Sequence, residues 1–304
     1  MKEAISTTSR KREHDLPLLD EHFTLWWAGF LLSVSATLKQ FRAFGDDDGQ
    51  LVALALAARA LRSGRASSLS LAGQSAHDGL SLSEIAVMTG CPLETTRRTL
   101  KRMRAASSVL RQGNRYSILV GDELLAAGAT QAEVLAQLLS AIPAREFPGW
   151  APGNEEHTKE LAAAICWTAA LRYCANLRRR ITKGAYLGCM IAGMIQVESQ
   201  VRRMLLASGK HGASREAFNN VAVTMPEPLI STQETGRIAG EPSSRVHAAV
   251  QHAVDLGLGT VPMRGLFRYS IGAAAVSDDS QAYTRGVKEA LVELCSAFPR
   301  PTAI

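Results

Sequence analysis

Five short patterns recur along this chain of 304 residues, and the offset between the copies never falls from one end to the other. Ser63-Gly64-Arg65 is answered by Ser208-Gly209-Lys210 at an offset of 145. Ser81-x-x-Glu84 returns as Ser231-x-x-Glu234, and Gly90-Cys91-Pro92 as Gly240-Glu241-Pro242, both at 150. The tetrapeptide RYSI stands at 115–118 and again at 268–271, an offset of 153, and Ser140-Ala141-Ile142-Pro143 is echoed by Ser296-Ala297-Phe298-Pro299 at 156. Chance matches scatter, whereas a rising offset is what a duplication leaves when short insertions enter the loops of one copy. The chain therefore reads as a tandem duplication of a unit of roughly 150 residues. The Pro/Gly-rich stretch "PAREFPGWAPGNEEH", residues 143–157, marks the seam. The expected organisation is a tail at 1–18, a first unit at 19–143, a linker at 144–156 and a second unit at 157–304.

Each unit reads as mainly helical. In the first, helices are expected over about 21–44 and 50–62, separated by the turn "GDDDG". After a Ser/Gly/Ala loop, a short helix starts at Ser81, where a Ser-x-x-Glu box satisfies the orphan backbone donors. Gly90 breaks it, and Pro92 suits the first turn of the next helix, which runs to about Arg104. "VLRQGNRYSIL" reads as a hairpin turning at Gly113, and helices near 122–127 and 130–142 close the unit. The second unit repeats this order, with helices near 156–180, 183–206, 231–239 and 242–254, a hairpin at 260–271 and a last helix at 281–297.

Composition narrows the function classes. Apolar residues make up 46% and charged residues 20%, the profile of a globular chain rather than a disordered one. A net charge of +6 permits an acidic partner such as nucleic acid or anionic lipid. The run Phe23–Leu38 is uncharged but, at 16 residues, falls short of the ~20 a membrane span needs, so it reads as a buried helix and no membrane partner is expected. The polar, charged first twenty residues do not resemble a secretory leader. With five cysteines, no C-x-x-C pair and no histidine at zinc spacing, the thiols read as small core residues in a reducing cytoplasm, and no metal is expected. No phosphate-binding glycine loop, G-x-S-x-G or H-E-x-x-H is present, so neither catalytic residues nor a cofactor are expected.

A short helix, a glycine turn, a second helix and a hairpin follow one another in each unit. "LSLSEIAVMTGCPLETTRRTLKRMRAASSVLRQGNRYSI" resembles the winged helix-turn-helix superfamily over its whole length, with Ile85, Ala86, Gly90, Thr96, Leu100 and Met103 at core positions. "ISTQETGRIAGEPSSRVHAAVQHAVDLGLGTVPMRGLFRYSI" is a looser match, with Gly236, Val246, Val250 and Ala253 in those places. Helices before and after a winged helix within such a unit resemble a MarR-type regulator, here as two units fused into a pseudo-dimer with long flanking helices. The resemblance implies a transcriptional regulator that binds double-stranded DNA. It also leaves room for a homodimer and for a small-molecule effector.

Candidate DNA contacts follow from charge. Residues 92–118 hold seven cations (Arg97, Arg98, Lys101, Arg102, Arg104, Arg111 and Arg115) against one acid, Glu94. Arg97 and Arg98 lie early in the helix, where base edges are reached and arginine pairs bidentately with guanine. Thr95 suits a phosphate or a thymine methyl, while Lys101, Arg102, Arg111 and Arg115 suit phosphates, with Arg115 and Ser117 expected outward from the hairpin and Tyr116 and Ile118 inward. In the second unit these positions become Arg245, His247, Ala248, Gln251 and His252. Ser243, Ser244, Arg245, His247 and the hairpin's Arg264 and Arg268 are its candidate contacts. Either it reads a different half-site with fewer ionic contacts, or it is structural. Two other classes fit tandem winged helices: a plasmid-type replication initiator, which should engage iterated sites, and a protein-interaction scaffold, which the depleted second helix favours and the basic first helix disfavours.

Overall fold

In the computed structural model, which describes residues 16–62, 79–142, 156–180, 186–225, 228–269 and 278–297, the uncharged run beginning at Phe23 is a buried helix. This helix, α1 (Phe23–Gln40), turns Trp26, Phe30, Leu31 and Val34 into the core. Helical backbone already begins at residue 16, within the stretch read as tail, and Leu19 there is fully buried, its carbonyl accepting from Trp26 Nε1 at 2.8 Å. A 3-10 turn, Phe41–Phe44, and Gly45 at φ 109° redirect the chain into α2 (Asp47–Arg62). Asp47 and Asp48 thus belong to the first turn of a helix, where carboxylates meet the positive end of its dipole. Asp46 accepts from the Gly49 N–H at 3.0 Å, satisfying one of the donors that the helix start leaves open.

The strand β1 (Leu80–Ser81) leads into α3 (Leu82–Thr89). The capping box forms as the sequence implies: the Glu84 N–H donates to Ser81 Oγ at 3.3 Å, and the Ser81 N–H to Glu84 Oε2 at 2.7 Å. Gly90 closes α3 at φ 67°, and Pro92 precedes α4 (Leu93–Ala105). β2 (Leu110–Gln112) and β3 (Arg115–Ser117) form a hairpin, and β1 adds to its far edge in the order β1-β3-β2. α5 (Asp122–Leu139) is one helix where two were expected. The expected break fell beside Gly128, where an added Cβ would lie 2.7 Å from the Trp167 ring, so this glycine makes room for a neighbour rather than ending the helix.

The second half comprises α6 (Glu156–Arg180), α7 (Leu187–Ala207), α8 (Arg215–Thr224), β4 (Leu229–Ser231), α9 (Thr232–Ala239), α10 (Ser243–Asp255), β5 (Gly259–Met263), β6 (Leu266–Tyr269) and α11 (Asp278–Ala297). Sequence reasoning had no place for α8. Its one local signal is Ser214, whose Oγ accepts from the Ala217 N–H at 3.2 Å. The second sheet has the order β4-β6-β5. The molecule is thus mainly helical, with two small antiparallel sheets.

Sheet register corrects one of the echoes. Leu80 opposes Tyr116 and Ser81 opposes Arg115; Ile230 opposes Phe267 and Ser231 opposes Leu266. Leu266 therefore stands where Arg115 does, and Phe267 where Tyr116 does, not Arg268 and Tyr269 as the two RYSI segments suggest. A slip of two residues leaves every side chain on its original face, so alternation along the strand could not reveal it. Ser270 and Ile271, Ser63–Arg65, Phe298–Pro299 and the seam residues 143–155 lie outside the described residues.

The two halves interlock. α1 packs on α7, α6 packs on α2, and α5 sits against both α1 and α6. Trp27 and Phe30 meet Tyr173 of α6 edge-on, with ring centroids 5.6 and 5.4 Å apart. One hydrophobic core takes residues from Leu19 to Cys295. All five cysteines are buried, as small core residues should be.

Candidate nucleic-acid interface

The surface of α4 follows from its sequence spacing. Thr96, Thr99, Leu100 and Met103 turn inward and anchor the helix, which leaves Arg97, Arg98, Lys101, Arg102 and Arg104 on the outer side. Arg97 and Arg98 are 59% and 80% exposed and share Glu94, at 2.5 and 3.3 Å. Such surface pairs are worth about 0.5 kcal/mol and yield readily to a stronger acceptor. Thr95 is half-buried at the rim. Arg102 is held differently: its two terminal nitrogens reach the Asp46 carboxylate at 2.8 and 3.2 Å. Burial would raise the Asp46 carboxyl, but the bonds from Arg102 and the Gly49 N–H outweigh it and hold the group below its ordinary value.

The hairpin splits the two cations expected to meet phosphates. Arg111 stays exposed, donating to the Gly113 carbonyl at 2.7 Å with its guanidinium over the Tyr116 ring at 5.7 Å. Arg115 does not point freely outward. It is half-buried, donates to the Gly79 carbonyl and lies 3.5 Å from Glu84, tying the sheet to the start of α3. Ile118 is buried as expected and Tyr116 half-buried. The open cationic face thus comprises Arg97, Arg98, Lys101 and Arg104 on the helix and Arg111 on the adjoining strand.

In the second half the corresponding face is nearly neutral. Ser243, Ser244, His247, Ala248 and Gln251 are exposed on α10. His247 Nδ1 lies 2.7 Å from the Ser243 carbonyl, and Gln251 donates to Asp255 at 2.9 Å. Arg245, the one fixed cation, is drawn off the surface: 35% exposed, it lies 3.4 Å from Asp47 and 3.5 Å from Glu241, with its guanidinium 5.9 Å from the Tyr186 ring centre. Burial pushes the Asp47 carboxyl up, a shift that the Leu187 N–H and Arg245 only partly offset. Arg264 and Arg268 are exposed on the second hairpin. His252 is half-buried against Tyr186, ring centroids 5.8 Å apart.

Sequence reasoning missed the acids that organise these arginines. Asp46, Asp47 and Asp48 each take a different arginine: Arg102 of α4, Arg245 of α10 and Arg178 of α6. Three consecutive carboxylates were the available signal, but nothing local names partners as far off in sequence as Arg178 or Arg245. Among the described residues no three histidines, cysteines or acids gather as a metal would require, and no helix is long and apolar enough to cross a membrane. Comparison with family models, curated proteins and solved structures found no match.

Proposed function

We propose that this chain is a sequence-specific regulator that binds double-stranded DNA through two winged-helix units arising from a tandem duplication. One observation carries the reading: a helix with five exposed cations on its outer side, one of them tied to Asp46, adjoins a hairpin strand with a sixth, while its opposite side is anchored in the core. A helix presented in this way fits a major groove, and the hairpin beside it lies over the flanking phosphates. The common strand order of the two sheets and the αL glycines at 90 and 240 support the duplication. Readout falls mainly to the first unit, with Arg97 and Arg98 at base edges and Lys101, Arg104 and Arg111 at phosphates, while Asp46 holds Arg102 back. The neutral face of α10 and the retracted Arg245 favour a second unit that contacts DNA lightly through Ser243, Ser244, His247, Arg264 and Arg268, or that binds protein instead.

The test is a salt titration with duplex DNA. Three phosphate contacts from the first unit, with up to two more from Arg264 and Arg268, predict a log–log slope between about −2.7 and −4.5. Arg98→Ala should weaken specific binding about tenfold and relax the preference at one base position. Arg245→Ala should leave the slope unchanged, because that side chain answers to Asp47 and Glu241. A slope near zero refutes DNA binding, and equal losses from Arg98→Ala and His247→Ala refute the unequal division between the units.

A further inference from the structure

The helix-turn-helix turn of each unit is gripped by an arginine from the opposite half of the chain. Arg178, at the end of α6, donates to the Gly90 carbonyl at 2.9 Å, and the neighbouring Arg179 donates to the Val87 carbonyl at 3.4 Å. Arg42, just beyond α1, donates to the Gly240 carbonyl, and Lys39 to the Arg237 carbonyl at 3.5 Å. Val87 and Arg237 stand 150 residues apart, as do Gly90 and Gly240. The two clamps are therefore reciprocal: the same two carbonyls of each turn are held by cations from the other half. Each clamp also has its own acid. Glu241, within the second turn, pairs with Arg42 at 2.6 Å. The first turn has Cys91 at that position, and Arg178 instead pairs with Asp48 at 2.7 Å.

The acidic turn joins the clamps to the proposed reading helices. Asp48 fixes Arg178, Asp46 holds Arg102 on α4, and Asp47 holds Arg245 on α10 while also accepting from the Leu187 N–H at 3.0 Å. Arg178 is 10% exposed and Asp47 6%, so the bonds of Asp48 to Arg178 and of Asp47 are largely shielded from solvent and salt, whereas the Asp46–Arg102 pair lies open to both. Generic packing would need no such fittings. Apolar contacts between α1, α6 and their neighbours already bury the core, and they tolerate small slides that directional bonds to backbone carbonyls resist.

We infer that Arg42 and Arg178, together with Asp46, Asp47 and Asp48, are positioning residues that hold α4 and α10 at one separation and angle, making the gap between two half-sites a determinant of DNA specificity. This rests on the DNA-binding reading above, in the form in which the second unit also contacts DNA. Shifting one half-site by a single base pair moves it about 3.4 Å along the duplex and turns it by about a tenth of a rotation, which a rigid pair of heads cannot follow.

The experiment begins with the intact chain and a pool of random-sequence duplexes, from which the retained motif is read. A series of duplexes then varies the gap between its two parts, and affinities are measured for the wild-type chain, Arg42→Gln and Arg178→Gln, with thermal unfolding followed for each. The wild-type chain should retain a motif in two parts and bind one gap about tenfold more tightly than gaps one or two base pairs away. Each variant should keep the same two half-motifs but lose most of that preference. A merely structural role would weaken binding at every gap alike, and that result overturns the inference. So does a single contiguous motif, or a gap preference unchanged in both variants. Arg42 is 41% exposed, so Arg42→Gln still provides the comparison should Arg178→Gln fail to fold. Retention of no duplex at all would defeat the DNA-binding reading itself, and this inference with it.

Discussion

Asp46 and Asp47 are adjacent in sequence and opposite in what protonation does to them. The Asp46 carboxyl lies below its ordinary value of 3.8: burial opposes this, but hydrogen bonds from Arg102 and Gly49 prevail. It therefore contributes stability above that value, and the contribution is lost as pH falls through its lowered folded pKa. The Asp47 carboxyl lies above 3.8 because burial outweighs its bonds to Leu187 and Arg245. Its contribution is full below 3.8 and lost as pH rises through its raised folded pKa. Asp46→Asn should thus shrink the loss of stability between about pH 6 and about pH 3, while Asp47→Asn should enlarge it. Urea unfolding at the two pH values checks this, and slopes that change in the same direction would contradict it. Neither role was legible in "GDDDG". Arg97, Arg98 and Lys101 could be placed on an outer face from helical spacing alone, because that face is set by residues three and four apart. Arg102, Arg115 and Arg245 sit on equally local patterns, but their side chains are bound to partners that only the fold supplies.

Gly128 shows the corresponding limit at the level of elements. A glycine in a run of helix formers reads as a break, since glycine costs about 1 kcal/mol relative to alanine inside a helix. The helix instead passes through it, because Trp167 of α6 packs where a side chain would stand. Gly128→Ala should therefore destabilise the protein despite its better helix propensity. An added Cβ would lie 2.7 Å from the Trp167 ring and 2.9 Å from the Ala163 Cβ, and Trp167 is fully buried with little room to retreat. A net loss of about 1–2 kcal/mol is expected, read from chemical denaturation; a gain would mean that α5 and α6 separate freely. The same reasoning separates the elements that sequence could find from those it could not. α3 carries its own capping box, a closing glycine at 90 and a proline two residues later, so its limits are local facts. α8 has an N-cap and little else; it is held by packing on α7 and α1, which no pattern in its own ten residues declares.

For the molecule as a whole, the recurring short patterns in the sequence lead to an expectation of two lobes, whereas the packing forms a shared core. α1 of the first half lies on α7 of the second, α6 lies on α2, and Arg42 and Arg178 each hold the turn of the opposite half. Removing either half would expose the Phe23, Trp27 and Phe30 side of α1, or the Trp167 and Tyr173 side of α6, to water. Fully burying one such side chain is worth about 1.5–3 kcal/mol, so the loss of several exceeds a large part of the 5–15 kcal/mol that holds an ordinary domain together. Unfolding should consequently be a single cooperative transition, not one step per half. Tryptophan fluorescence follows mainly the shared core, because three of the four tryptophans, Trp26, Trp27 and Trp167, lie in it and come from both halves, and far-ultraviolet circular dichroism follows the helices throughout. The two probes should give the same urea midpoint and the same slope, and that slope should be the one for the surface exposed by the whole chain. Two separated midpoints, or a slope about half that size, would mean that the two halves fold independently and that the contacts between α1, α2, α6 and α7 hold them only loosely.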